Sequence, residues 1–228
     1  MKLIIFDLDD TLVDFATTRQ TAYREMSLFL DGEGIDSNAF IRACTEVDRP
    51  LFSLFEQGQL TRQEYRLRRF SDPFGVIGVE PLEHLVLHLN KLFMDCVNDR
   101  PQLFDDVRPV LASLRQRGIA TAILTNGPAD GQRRKLKATG LDQEVDHVQI
   151  GEEVGVSKPL ALAFHKVIER FSVAAADTLM VGDSAELDYD AAREAGLTAL
   201  LLDRGSRHLG GNRNVIRSLD ELLPSLKP

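Results

Sequence analysis

A short apolar strand that ends in carboxylates is the feature that most constrains this chain. Leu3-Ile4-Ile5-Phe6 is too short for a helix, and such a run is typical of a strand buried on both faces of a parallel sheet. Asp7 and Asp9 follow directly, at the carboxyl end where open α/β sheets bind their ligands. Two carboxylates this close repel each other unless a cation or a shared proton intervenes. The pair therefore predicts a metal site, an acid/base role, or both.

Length and charge limit the classes of function. The chain has 228 residues, enough for one large domain or for a core domain with a smaller companion. Its net charge of -8 argues against a dedicated binder of nucleic acid polymers or anionic membranes, because those favour clustered Lys and Arg. Cys44 and Cys96 have no CxxC spacing, which indicates reduced thiols. With neither a signal-peptide core nor a run long enough to span a membrane, we expect a cytoplasmic protein with no membrane partner.

Residues 14–104 have a pattern unlike that of the opening strand. Apolar residues recur there at helical spacing, and no segment is convincing as a strand. Ser37 is predicted to cap a helix that runs toward a break at Arg49-Pro50. A second break is predicted at Asp72-Pro73-Phe74-Gly75. The region is therefore interpreted as an all-helical insertion.

A capping box marks one helix of this insertion. Thr61 is followed three residues later by Glu64, which predicts a helix from Arg62 to Phe70. The spacing of Arg62, Arg66 and Arg69 places them on one helix face. We interpret this face as solvated and paired with Glu64, the alternative being that it attracts an anionic substrate.

From Phe104 onward, strands and helices alternate. This alternation is typical of βαβ units around a parallel sheet. The predicted strands are Ile119–Leu124, Asp146–Ile150, Thr178–Val181 and Thr198–Leu202. We therefore predict an α/β core domain of residues 1–14 and 105–228, with a helical domain of residues 15–104 inserted into it.

Polar groups follow several of these strands. They are Asp7 and Asp9, then Thr125, then Lys158, and finally Asp183 with Asp188. Each one alone is ordinary, because an Asp at a strand end is often a loop or N-cap residue. The specific feature is the order of the motifs, which is DxDxT, Thr-Asn-Gly, Lys-Pro, and Gly-Asp-Ser with a second Asp five residues later.

This order of motifs resembles the haloacid dehalogenase superfamily, in the phosphatase branch (subfamily IA) that carries a helical cap after the first motif. The resemblance covers essentially the whole chain. It implies a doubly wound, Rossmann-like parallel sheet with an inserted all-helical cap domain. It also implies Mg²⁺-dependent hydrolysis of a phosphomonoester through an aspartyl-phosphate, which is a recognised route for an Asp nucleophile.

The resemblance assigns catalytic roles to individual residues. Asp7 corresponds to the nucleophile, and Asp9 to the acid that protonates the leaving oxygen and later activates water. Thr125 and Asn126, with nearby backbone N–H groups, would hold phosphoryl oxygens. Lys158 would neutralise the nucleophile and the developing charge, which is the electrostatic work that phosphoryl transfer needs.

The resemblance also implies a magnesium site. The carboxylates of Asp7 and Asp183 and the backbone carbonyl of Asp9 would supply the oxygen ligands that Mg²⁺ prefers. Asp188 is interpreted as a partner of these ligands rather than a direct ligand. The alternative for Asp188 is a charge that complements a helix N-terminus.

The expected substrate is a small phosphorylated metabolite. The insertion and the segment Gly151–Pro159 are similar to pyrimidine 5′-nucleotidases of the house-cleaning type, which favours a pyrimidine nucleoside 5′-monophosphate. A sugar-phosphate or N-acylneuraminate-phosphate phosphatase and a phosphomutase are the enzymatic alternatives. From a different class, the chain would be a non-catalytic binding protein that keeps the fold.

Overall fold

The computed structural model describes residues 1–205 and 212–226, and it divides into two units. The core unit comprises Met1–Phe15 and the described residues from Pro101 onward, whereas the helical unit comprises Ala16–Arg100. Within the described residues, no helix is both long and apolar enough to cross a membrane.

Residues 16–100 contain helices and no strand, as their spacing predicts. The helices are α1 (Phe15–Gly32), whose first residue belongs to the core unit, α2 (Ser37–Glu56), α3 (Arg62–Val76) and α4 (Glu83–Asp99). The capping box at the start of α3 is confirmed, since Thr61 Oγ1 accepts from the backbone N–H of Glu64 while the Glu64 carboxylate accepts from that of Thr61.

Both predicted helix breaks are wrong. Helix α2 continues through Pro50, and α3 continues through Pro73. A proline inside a helix removes one backbone hydrogen bond, but packing of an apolar face can outweigh that loss. The buried rings of Phe40 on α2 and Phe74 on α3 lie 4.7 Å apart between centroids, so the two helices pack together through the predicted break.

Two smaller predictions for these helices are also wrong. The N-cap of α2 is Asp36 and not Ser37, because the Asp36 carboxylate accepts a 2.9 Å hydrogen bond from the backbone N–H of Ala39. The arginine face of α3 is not wholly solvated, since Arg69 is only 8% exposed. Its guanidinium lies over the rings of Phe70 and Phe93.

The core unit contains a parallel sheet, which confirms the predicted α/β class. Its strands are β1 (Leu3–Phe6), β2 (Ala120–Thr125), β3 (His147–Ile150), β4 (Thr178–Gly182), β5 (Thr198–Leu202) and β6 (Val215–Ile216). Their order is β3-β2-β1-β4-β5-β6, and β1 lies in the centre between β2 and β4. The edge strand β6 was not predicted, because two residues are too few to show a pattern.

Helices cover both faces of this sheet. They are α5 (Val107–Gln116), α6 (Ala129–Thr139), α7 (Leu141–Glu144), α8 (Gly151–Val154), α9 (Ala161–Phe171), α10 (Ala191–Glu194) and α11 (Leu222–Ser225). Side chains of β1 alternate between two apolar cores, with Ile4 and Phe6 in the one that includes α5, and Leu3 and Ile5 in the one that includes α9. A strand that is buried on both faces is the reason for the continuous apolar run in the sequence.

Candidate active site

The chain's polar motifs meet at the carboxyl ends of the three central strands. Asp7 follows β1, Thr125 ends β2, and Asp183 follows β4. The chain turns sharply after β1, where Asp10 adopts a left-handed backbone with φ of 60°, which Asp tolerates better than most residues. The turn is closed by the backbone N–H of Val13, which donates to the carbonyl of Leu8. This geometry places Asp7 and Asp9 at the edge of the sheet.

Lys158 lies between two carboxylates. Its Nζ donates to Asp7 Oδ1 and to Asp188 Oδ1, each at 2.6 Å. The side chains of Lys158 and Asp188 are 3% and 1% exposed, so this ion pair is excluded from water. Burial alone would lower the pKa of Lys158, but Asp188 and Asp7 outweigh it and hold that pKa above its ordinary value. The lysine is therefore a fixed positive charge beside Asp7.

Three acidic residues form a cluster with the properties of a metal site. Asp7, Asp183 and Asp188 each present a carboxylate oxygen, and these oxygens lie within 4.8 Å of one another. Burial raises the pKa of Asp7 to about 8, with Lys158 opposing the shift and the carboxylates of Asp188 and Asp183 adding to it. A divalent cation would relieve this repulsion, and a set of carboxylate oxygens suits Mg²⁺. The residues present therefore fit the magnesium ion that the family resemblance implies.

Asp188 is held in place by the segment that follows β4. The backbone N–H of Ser184 donates to Asp188 Oδ2, while Ser184 Oγ accepts from the backbone of Leu187 and caps a short π-helix, Ala185–Asp190. Any side chain at Gly182 would collide with the Asp188 carboxylate. The burial of Asp188 and its bond to Lys158 favour its interpretation as a partner in the site over the alternative of a charge that complements a helix N-terminus.

Asn126 organises the loop that carries Lys158. Its amide donates to the carbonyl of Lys158 at 2.7 Å and accepts from the backbone N–H of Lys158 at 2.9 Å. Both ends of the Asn126 side chain are thus used to hold the lysine. Any contact between Asn126 and a phosphoryl oxygen would have to use its backbone N–H or the second hydrogen of its Nδ2.

Asp9 is held by two residues that the sequence reasoning missed. Lys135 Nζ donates to Asp9 Oδ1 at 2.6 Å, and Gln132 Nε2 donates to Asp9 Oδ2 at 2.9 Å. Gln132 Nε2 also donates to Thr125 Oγ1 at 2.7 Å, so one amide links the predicted acid/base residue to a predicted phosphate ligand. Asp183 has a comparable unpredicted partner in Thr11, whose hydroxyl accepts from the Asp183 backbone N–H.

A signal for Gln132 and Lys135 was present in the sequence. Both residues share the buried face of α6 with Leu136 and Thr139, which follow at helical spacing. Polar residues on the core-facing side of a helix need partners, because burying an unpaired polar group is costly. A helix whose buried face is largely polar therefore points to a polar site beneath it.

The chain is similar to known proteins in sequence and in fold. A family model for haloacid dehalogenase-like hydrolases matches residues 1–196. The chain is 30% identical to a phosphoserine phosphatase of Thermus thermophilus, over 91% of this chain and 90% of that protein. It is 27% identical to the pyrimidine 5′-nucleotidase PynA of Streptococcus pneumoniae, over 87% of this chain and 82% of that protein.

A solved structure extends the similarity to the fold. The crystal structure of the HAD-hydrolase YfnB from Bacillus subtilis, bound to magnesium, superposes with a TM-score of 0.80 at 27% identity. The match covers 100% of this chain and 99% of that one. The similarity in fold thus extends over the whole length of both chains.

Proposed function

The chain belongs to the haloacid dehalogenase-like hydrolase family, as an enzyme of the phosphatase type, and we propose that it hydrolyses phosphomonoesters of small metabolites through an aspartyl-phosphate on Asp7. One observation carries this proposal. A buried ammonium, that of Lys158, lies 2.6 Å from an oxygen of Asp7, with Asp183 and Asp188 close by. A fixed cation beside a carboxylate nucleophile suits attack on an anionic phosphate.

The first half of the reaction would use Asp7 and Asp9. A carboxylate oxygen of Asp7 forms a bond to phosphorus while the bond from phosphorus to the ester oxygen breaks. The leaving oxygen keeps that electron pair and takes a proton from Asp9, which an alkoxide needs near neutral pH. A dehalogenase has no such need of an acid, so the Asp9 carboxyl favours phosphate esters as substrates.

The residues around the nucleophile would hold the phosphoryl group. The Thr125 hydroxyl and backbone N–H groups of the Asn126 loop donate to phosphoryl oxygens, and Lys158 balances their charge. Mg²⁺, held by the Asp7 and Asp183 carboxylates and the Asp9 carbonyl, would neutralise further phosphate charge. Support for this ion comes from the acidic cluster and from the magnesium bound by YfnB.

The substrate is proposed to be a pyrimidine nucleoside 5′-monophosphate or another small phosphate ester. The similarity to PynA supports the nucleotide, while the similarity to a phosphoserine phosphatase supports a phosphorylated amino acid. A panel of UMP, dUMP, TMP, phosphoserine, phosphoglycolate and sugar phosphates, assayed for released phosphate with Mg²⁺ and with EDTA, separates these classes. Phosphate release from no member of the panel would overturn the proposed function, and an isomerised sugar phosphate without release would indicate a mutase.

A further inference from the structure

Asp9 has donors on both of its carboxylate oxygens, and both donors come from α6. We propose that Lys135 and Gln132 are positioning residues that hold the Asp9 carboxylate ready to accept a proton from water in the second half of the reaction. The inference rests on the proposed function and deepens it. It adds to the site two residues that contact the Asp9 carboxylate and are not themselves proposed as ligands of the metal or of the phosphoryl group.

Lys135 resembles Lys158 in being buried and paired with a carboxylate. Its side chain is only 6% exposed, and its Nζ lies 2.6 Å from Asp9 Oδ1. The same Nζ lies 4.7 Å from the centroid of the Phe15 ring, an arrangement that attracts a cation. A buried ammonium without an anionic partner would be costly, so the pair with Asp9 is the interaction that makes its burial tolerable.

Gln132 fixes the second oxygen of Asp9 and, through the same nitrogen, Thr125. Gln132 is 1% exposed, and a side chain at Gly127 would collide with its amide. The glycine of the Thr-Asn-Gly motif therefore leaves the space that Gln132 fills. An amide nitrogen only donates, so Asp9 and Thr125 are both acceptors here. The hydroxyl proton of Thr125 is left to donate to a phosphoryl oxygen.

This arrangement suits the hydrolysis of the aspartyl-phosphate. The water oxygen forms a bond to phosphorus as the bond from phosphorus to Asp7 breaks, and that electron pair returns to the Asp7 carboxylate. One water proton passes to Asp9, which must meet the water as a correctly aimed acceptor. Without the Lys135 bond the carboxylate keeps only the hydrogen bond from Gln132 and can rotate about it, so loss of Lys135 should slow this half of the reaction.

An aryl phosphate substrate allows hydrolysis of the aspartyl-phosphate to be measured separately from its formation. Nitrophenolate leaves without an acid, so formation of the phosphoenzyme from p-nitrophenyl phosphate does not need Asp9 as a proton donor. With Mg²⁺ in stopped flow, we expect Lys135→Met to lower kcat by about tenfold or more, since a positioned base contributes roughly 10²- to 10⁴-fold. We expect kcat/KM, which reports the first half, to stay within about threefold of wild type. A burst of nitrophenolate should then precede the slow steady state.

Control variants distinguish the positioning role of Lys135 from the effects of lost charge and of impaired folding. Lys137→Met removes the same charge from an exposed site on α6 and should show neither effect. Lys135→Arg restores a donor and should recover part of kcat. If Lys135→Met does not melt cooperatively near the wild-type temperature, Gln132→Met serves as an independent variant. It is also expected to lower kcat while leaving kcat/KM within about threefold of wild type.

The outcomes are distinguishable from those of the proposed function. Equal losses of kcat and kcat/KM in Lys135→Met and Gln132→Met, or wild-type values in both, would overturn this inference while leaving the phosphatase in place. A wild-type protein that releases no phosphate from p-nitrophenyl phosphate or from the substrate panel would overturn both.

Discussion

Both units of the molecule bury cations, and Lys158 in the core unit differs from Arg69 in the helical unit in what surrounds it. In the core unit, Lys158 lies between the carboxylates of Asp7 and Asp188. In the helical unit, Arg69 donates to Asn90 Oδ1 and Met94 Sδ and lies over aromatic rings, the nearest being Phe93 at 4.3 Å from the guanidinium carbon to the ring centroid. Both side chains were equally visible as charges in the sequence.

The difference shows what makes a buried charge chemically useful. Lys158 balances anions at the end of a parallel sheet, where a substrate phosphate would add further negative charge. Arg69 lies among aromatic rings, and its burial lowers its pKa although the nearby Tyr65 and Asp48 oppose that shift. We therefore assign Lys158 to the chemistry and Arg69 to the packing of α3 against α4.

Replacing Lys158 should give the largest effect and tests one side of the comparison. Lys158→Met removes the charge that faces Asp7, and we expect kcat to fall by about 10³-fold, the loss typical of removing a group that stabilises a developing charge. Phosphate release in the presence of Mg²⁺ measures this. Lys166→Met, at an exposed site on α9, is the matched control. Activity of Lys158→Met within tenfold of wild type would break the distinction between the two cations.

Metal binding should distinguish the acidic cluster from ordinary surface carboxylates. At a Mg²⁺ concentration of a hundred times Kd, we expect the free energy of unfolding to rise by about 2.7 kcal/mol. Asp183→Asn should remove most of this gain. Asp190→Asn should keep it, because Asp190 is half-exposed and paired with Arg213. Differential scanning calorimetry with Mg²⁺ and with EDTA measures the gain, and equal gains in both variants would contradict the assignment.

Replacing Arg69 tests the other side of the comparison. Arg69→Met loses the contact with the rings and leaves Asn90 Oδ1 without this donor, so we expect a loss of about 1–3 kcal/mol in the free energy of unfolding. Urea denaturation measures the loss. Turnover per folded molecule should stay within about threefold of wild type, since packing and not chemistry is removed. A fall in kcat of the size expected for Lys158→Met, with no loss of stability, would reverse the assignment.

His147 provides the smallest test, because it is half-buried and lies outside both cation sites. Burial lowers its pKa, and Arg170 and Arg133 add to the shift. The unfolded chain then takes up a proton at a higher pH than the folded chain, so the free energy of unfolding should fall as pH drops below the ordinary histidine value of about 6.5.

The His147→Gln variant should flatten that part of the pH dependence. Urea denaturation between pH 5 and 8 measures it. His84→Gln, at an exposed position on α4, is the control. A steeper fall in the His147→Gln variant than in wild type would show that the sign is wrong.

Strand patterns predicted much of the core unit because they report burial directly. The apolar run of β1 required helices on both faces, and the polar residues after β1 and β4 were expected at the same edge of a parallel sheet. The structure adds that these two strands are neighbours. The short separation of the Asp7, Asp183 and Asp188 carboxylates follows from that topology.

The remaining features depend on contacts between segments that are distant in sequence. Pro50 and Pro73 are tolerated because apolar side chains of α2 and α3 pack across them, which a local rule for breaks does not include. Arg69 is buried because aromatic side chains of α3 and α4 meet around it. Lys135 reaches Asp9 from 126 residues away, and only its place on the buried face of α6 marked it.

The most direct test concerns where the phosphoryl group goes in a single turnover. Excess enzyme is mixed with Mg²⁺ and substrate and quenched with borohydride, which reduces an acyl phosphate to an alcohol, and the peptides are then mapped by mass spectrometry. We expect Asp7 to be recovered as homoserine, and we expect Asp7→Asn to lose both this product and turnover while Asp142→Asn, at an exposed site, keeps them. Turnover by Asp7→Asn, or reduction at another carboxylate with none at Asp7, would contradict the covalent route.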